Sequence, residues 1–258
     1  MEPLFVDIHS HAVPSGDDGV QSAAEGVALC RDAAAHGTRV LFATPHVFPH
    51  LPLSEERERV VRAALDAIRP QAELELRLGF ELTPDRALLR DDPARYRLEG
   101  TDFVLMEVPF HGPADLLWAL AEHVEREGFE PVIAHPERTE SVLRRPELAR
   151  ELADRGWRLQ VNATSLLGRH GPESEELGRR FVEDGTAALV ASDGHRATRP
   201  ARLDAAFELV RASVGEERAL PLFDGSALDL ADVEVQLPRD GVQERRAVPG
   251  ALGPRSAA

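Results

Sequence analysis

Seven short apolar runs, each followed by a longer stretch of helical periodicity, constrain this chain more than any other feature. The runs are Leu4–Ile8, Arg39–Ala43, Leu74–Leu78, Phe103–Met106, Pro131–Ala134, Arg158–Val161 and Ala188–Ala191. They are too short for helices and rich in β-branched or large apolar residues, so they read as buried parallel strands. The clearest helix is Ser54–Arg69, with Ser54 as a cap, Glu55 and Glu56 in the first turn, and Val60, Val61, Ala64, Leu65 and Ile68 along one stripe. Gln21–Ala35, Ala114–Arg126, Pro146–Arg155, Glu173–Asp184 and Pro200–Val214 read the same way. Strand–helix alternation predicts an α/β chain with a parallel sheet, and pattern alone leaves open whether that sheet closes. The 258 residues suit one large domain of barrel size. The predicted domain covers residues 1–232. Residues 233–258 are polar and rich in Pro, Gly and Arg, and are expected to form a flexible tail, weakly ordered from Pro238 onward.

Composition narrows the function classes. No stretch approaches the roughly 20 apolar residues of a membrane span. The start, MEPLFVDIHSH, lacks the basic and apolar regions of a signal peptide, and the single cysteine, Cys30, rules out an internal disulfide, so a cytoplasmic location is expected. A net charge of −15 argues against nucleic acid as a partner, since phosphates need a basic surface. Carboxylates that face bound metal ions reverse that local field.

Chemistry concentrates at the strand ends. The first run leads into Asp7-Ile-His9-Ser-His11 and then Asp17-Asp18-Gly19, and the second into Ala43-Thr-Pro-His46. The third ends at Gly79-Phe-Glu81, the fourth at Met106-Glu107, the fifth at Ala134-His135-Pro-Glu137-Arg138, and the seventh at Ser192-Asp193-Gly-His195. The sixth ends in Asn162, before the polar loop Thr164–Gly171. Thus six of the seven runs deliver a possible metal ligand at the C-terminal end, where barrel active sites are built. In His9-x-His11 and Asp193-x-His195, residues i and i+2 of a strand would share a face about 7 Å apart, close enough to grip one ion or neighbouring ions. His9, His11, His46, His135 and His195, with Asp18, Glu81, Glu107 and Asp193, exceed what one ion needs. At about four to six ligands per ion they suit two or three ions, and mixed N/O ligation without thiolate suits Mn²⁺, Fe²⁺ or Zn²⁺.

Each motif also has a plain structural reading. A lone HxH is a weak signal, His46 alone could be a turn residue, and Glu81 alone could be a surface acid. Six coincidences at corresponding positions outweigh those readings. The remaining histidines take the plain one: His36 near a helix C-terminus, His123 within a helix, and His50 in a Pro-rich loop. His111 and His170 fall in loops that could border the site. Cys30 lies inside a helical pattern and the sixth residue after it is His36, so the cysteine–arginine signature of thiol-based tyrosine phosphatases is absent. There is no GxSxG elbow and no P-loop.

In this order, DIHSH…DDG, ATPH, GFE, MEVPF, AHPER and SDGH resemble the polymerase-and-histidinol-phosphatase superfamily, over about residues 4–230. DDG after HxH, MEVPF and AHPER resemble its branch of bacterial protein-tyrosine phosphatases from capsule and exopolysaccharide operons. The resemblance implies a distorted seven-stranded (β/α) barrel and a trinuclear metal site, with the same nine ligands. It adds Arg138 and Arg199 as phosphate contacts, manganese as the first expectation for the metal, and a phosphotyrosine protein, such as a bacterial tyrosine kinase, as partner. Gly194 stands where relatives vary, and its flanking ligands suggest that this matters little. The expected reaction is hydrolysis of phosphotyrosine by a metal-activated water attacking phosphorus in line. The rival within the superfamily is a small-molecule phosphatase acting on histidinol phosphate or a nucleotide. A degenerate barrel used only for binding is disfavoured by the intact ligand set.

Overall fold

The computed structural model describes residues 4–231, in which strand and helix alternate almost throughout. The strands are β1 (Phe5–Ser10), β2 (Thr38–Ala43), β3 (His46–Val47), β4 (Glu75–Leu78), β5 (Glu81–Leu82), β6 (Phe103–Glu107), β7 (Glu130–Ala134), β8 (Arg158–Asn162) and β9 (Leu189–Ala191). The helices are α1 (Ala23–Ala35), α2 (Glu55–Ile68), α3 (Asp115–Arg126), α4 (Glu140–Arg144), α5 (Glu147–Asp154), α6 (Ala163–Leu166), α7 (Pro172–Asp184), α8 (Asp204–Val214) and α9 (Glu216–Ala219). Every pairing between these strands is parallel, in one sheet ordered β1-β2-β4 and another ordered β3-β5-β6-β7-β8-β9. The expected tail, residues 233–258, lies outside the described residues.

The seven expected runs become nine strands because the second and third are each interrupted. The β2–β4 ladder stops at Ala43↔Leu78 and resumes as β3–β5 at His46↔Glu81. Pro45 has no N–H to give to a ladder. Across the gap, Gly79 is pressed so closely that a Cβ there would lie 2.5 Å from Leu98 Cδ2. The far strand of the second sheet meets the first strand of the other. Ser10 bridges Gly194 in parallel fashion, His11 N–H donates to Gly194 O at 2.7 Å, and Asp193 N–H donates to His9 O at 2.9 Å.

Alternation along the strands sorts the apolar side chains into two bodies. Val6, Ile8, Val40, Phe42, Phe103, Leu105, Val132, Ala134, Leu189 and Ala191 pack with Leu98, Leu228 and Leu230. The residues between them, including Leu41, Val104, Ile133, Leu159 and Val190, join the larger core with the helices. Each fully buried large side chain contributes about 1.5–3 kcal/mol. All six helices expected from periodicity are present, and the Ser54 hydroxyl accepts from Arg57 N–H as an N-cap of α2. On α2 the buried stripe is narrower than expected: Val61, Leu65 and Ile68 are covered, while Val60 is 48% exposed. Among the described residues, no helix is long and apolar enough to cross a membrane.

Candidate metal centre

The strand ends converge on one polar, buried region. Glu81, the first residue of β5, lies at its middle. Its Oε2 is 3.0 Å from His9 Nε2, 3.1 Å from His46 Nδ1 and 3.3 Å from His11 Nε2. Its Oε1 is 2.9 Å from His135 Nε2. Asp193 Oδ1 lies 3.5 Å from His11 Nε2 and 3.4 Å from His195 Nδ1, and Asp18 Oδ1 lies 3.3 Å from His195 Nε2 and 3.8 Å from His46 Nε2. Three overlapping groups are each able to hold a metal ion: His11, Asp18, His46 and His195; His9, Glu81 and His135; and His9, His11 and Asp193. Glu107 falls outside these groups. It is buried beside Glu81 and Asp193, and its Oε1 accepts from the Thr83 hydroxyl.

The donor set fits metal ions for a physical reason. His9 Nε2, His11 Nε2, His46 Nδ1, Glu81 Oε2 and Glu107 Oε2 are buried with no hydrogen-bond partner. Buried polar atoms in that state are costly unless something takes their lone pairs, and a cation does so. The electrostatics agree. Burial disfavours charge on His9 and His11, but Glu81 and Asp193 outweigh it at His9, and Asp17, Asp193 and Glu81 outweigh it at His11, so both pKa values rise. Burial pushes the His46 pKa down to about 4, and burial with the neighbouring Glu81 pushes the Glu107 carboxyl up to about 8. A dication would replace the protons that this cluster otherwise retains, so metal uptake releases protons.

Local backbone geometry aims the candidate ligands: His9 and His11 converge as their spacing implies, but the strands end earlier than expected. β1 ends at Ser10 and β9 at Ala191, so His11, Asp193 and His195 stand beyond the strands. Asp193 has φ 53° and His135 has φ 36°, both in the left-handed region. For a non-glycine residue this costs about 1–3 kcal/mol and is characteristic of functional turns. Gly194 matters more than the sequence suggests. A Cβ there would lie 2.6 Å from Ala201 Cα and Cβ and 2.7 Å from Ala201 N. Likewise, a Cβ on Gly19 would come within 2.5 Å of His11 Cβ.

Several supporting residues escaped the sequence reading. Asp17 Oδ2 is 3.2 Å from His11 Nδ1 and accepts from His46 N–H at 3.0 Å, orienting two candidate ligands at once. Glu137 is buried, its pKa pushed up to about 7 by burial. It accepts from Asn162 N–H at 3.0 Å and the Ser165 hydroxyl at 2.7 Å, and so anchors the turn after His135. Arg138 Nη1 donates to Asp193 Oδ2 at 2.8 Å, and Arg199 Nη2 donates to the same oxygen. His170 lies near the region: burial and the charges of Arg138 and Arg199 push its pKa down to about 4, and it pairs with Thr164 Oγ1 at 2.9 Å. His111 instead points into solvent, 91% exposed beside Glu140. Its neighbour Phe110 takes that place, stacked on His135 at 5.5 Å with Arg138 5.1 Å from its ring centre. Cys30 is buried in α1, its thiol pKa pushed up to about 12 by burial.

Comparison with known proteins matches this arrangement to a described family. Residues 5–230 match the family described as capsular polysaccharide synthesis, CpsB/CapC. The chain belongs to the CpsB/CapC family. It is 28% identical to tyrosine-protein phosphatase YwqE of Bacillus subtilis over 250 residues, 94% of this chain and 98% of that one. It is 28% identical to tyrosine-protein phosphatase CpsB of Streptococcus agalactiae over 236 residues, 85% of this chain and 95% of the relative. Among solved structures it resembles one from work on YwqE of Bacillus subtilis and CpsB of Streptococcus pneumoniae, described as unique metal-dependent tyrosine phosphatases. The TM-score is 0.77 at 28% identity, covering 90% of this chain and 97% of that one. An inactive dihydroorotase-like domain of Chaetomium thermophilum shares the fold alone, with a TM-score of 0.59 at 11% identity, covering 89% and 80% of the two chains.

Proposed function

We propose that this CpsB/CapC chain is a metal-dependent protein-tyrosine phosphatase. The observation that carries the reading is the convergence of three donor groups beneath two arginines, in a chain whose relatives bear that name. The ligands we propose are His9, His11, Asp18, His46, Glu81, Glu107, His135, Asp193 and His195, holding two or three divalent ions, with manganese first and iron or zinc as alternatives. When bound, such ions supply Lewis acidity toward phosphoryl oxygens and lower the pKa of a water. Arg138 and Arg199 stand where they can exchange part of their bonding to Asp193 for phosphoryl oxygens, holding the group and offsetting developing charge. Phe110, 38% exposed above His135, offers an apolar face to a tyrosyl ring. Phenolate, with a pKa of about 10, leaves without a strong general acid.

The partner in this reading is a phosphotyrosine protein, with a bacterial tyrosine kinase of polysaccharide synthesis as first candidate and the cytoplasm as the setting. The two sheets are read as one distorted seven-stranded (β/α) barrel, with β2/β3 and β4/β5 each a single broken strand and Ser10–Gly194 closing the ring. Residues 1–232 form its domain. The test is a side-by-side rate comparison of a phosphotyrosine peptide, a phosphoserine peptide and histidinol phosphate on metal-reconstituted protein. The phosphotyrosine peptide should be hydrolysed fastest. A wide margin for histidinol phosphate would make the chain a small-molecule phosphatase. Arg138→Ala should raise KM and lower kcat together.

A further inference from the structure

β8 supplies no ligand, yet its two inward polar side chains connect two ligands that other strands supply. Asp193 Oδ2 accepts from Asn162 Nδ2 at 2.9 Å. Asn162 Oδ1 accepts from Gln160 Nε2 at 2.7 Å, and Gln160 Oε1 is 2.9 Å from His9 Nδ1. All four residues are buried, with Gln160, Asn162 and His9 at 0% exposure, so water does not compete for these bonds. The main chain of Gln160 reaches a further ligand, accepting from His135 N–H at 2.8 Å.

Only one direction of donation satisfies this chain. The Asp193 carboxylate faces the Arg138 and Arg199 guanidiniums and has no proton to give. Asn162 must therefore present its NH₂ to Asp193, which leaves its oxygen toward Gln160. Gln160 must present its NH₂ to that oxygen, which leaves its own oxygen toward His9. His9 must then carry a proton on Nδ1, so the nitrogen that would give up its proton to a metal ion is Nε2, 3.0 Å from Glu81 Oε2 and 3.6 Å from Asp193 Oδ1.

We propose that Gln160 and Asn162 are positioning residues that transmit the orientation of Asp193 to His9, locking His9 as the Nδ1–H tautomer with Nε2 turned to the metal cluster. The inference rests on His9 being a metal ligand. Bonds of this kind to a ligating imidazole typically change metal affinity by about 10–100-fold. Gln160 is fully buried in the strand RLQVN, whose neighbours Leu159 and Val161 belong to the apolar core, so its amide reaches polar partners inside the fold rather than water.

The experiment uses zinc, which is diamagnetic, and the full chain. Chelator competition measures zinc affinity, and ¹⁵N-edited imidazole spectra of the zinc-loaded protein identify His9 by the signals lost in His9→Asn. The wild-type protein should show His9 with its proton on Nδ1. Gln160→Met, near in volume, should release one zinc population about 10–100-fold more readily and lose the protected Nδ1–H signal, with its circular dichroism unchanged. Gln160→Glu keeps an acceptor at His9 and should retain that signal. Unchanged zinc affinity in Gln160→Met while His9→Asn weakens binding would overturn the relay and leave the ligand reading intact. The same holds for His9 protonated on Nε2 in the wild-type protein. Unchanged affinity in His9→Asn as well would sink the ligand reading and the relay with it.

Discussion

Adding one methyl group at Gly194 tests how tightly the turn carrying Asp193 and His195 is built. In Gly194→Ala the new Cβ would meet Ala201 Cα and Cβ at 2.6 Å and Ala201 N at 2.7 Å, distances that real contacts do not tolerate. Two of the three atoms are backbone, so no rotamer change relieves the clash. Overpacking of this kind costs about 1–3 kcal/mol. At about 2–4 °C per kcal/mol for a domain of this size, Tm should fall by about 2–12 °C. The displacement falls on residues 193–195 and 201, so retained metal and phosphatase activity should drop more than stability alone explains. Differential scanning calorimetry of the metal-free protein, with metal analysis after reloading, separates the two effects. Ala201→Gly in the same chain removes one of the three contacts and should restore only part of the loss. A Gly194→Ala protein with wild-type Tm, metal content and turnover would refute the reasoning.

Three further outcomes follow from the same geometry. Glu107→Gln keeps size but removes a carboxylate buried beside Glu81, and should lower turnover at least roughly 100-fold with the fold intact. Asp17→Asn weakens the acceptor for His11 Nδ1 and His46 N–H, and should reduce metal affinity about 10–100-fold in chelator competition while leaving Tm of the metal-free protein little changed. Cys30→Ala should keep most activity whereas a chelator abolishes it, because a buried thiol with a pKa near 12 is no nucleophile; chelator-resistant, cysteine-dependent turnover would mean a thiol mechanism.

The helices and strand runs were legible because burial imposes periodicity directly on the residues, as in Val61, Leu65 and Ile68 of α2. The clustering of His and acidic residues was legible because strand C-termini share one end of a parallel sheet. What could not be read depends on contacts between distant segments. The breaks at Pro45 and Gly79, the constraint of Gly194 against Ala201, and the place of Phe110 rather than His111 over His135 all follow from packing across the fold. Asp17 was in view as a neighbour of Asp18, but which carboxylate would turn toward His11 Nδ1 is set by the loop's conformation. Gln160 left a fainter signal, a polar residue between Leu159 and Val161 in a strand that ends in Asn162.

The count of transition metal ions per chain bears most directly on the whole account. Elemental analysis of protein reconstituted with Mn²⁺, Fe²⁺ or Zn²⁺ should find two or three ions per chain, as a donor set of this size requires at about four to six ligands each. Finding one ion or none, in a folded protein, would contradict the multinuclear centre on which the proposed phosphatase chemistry depends.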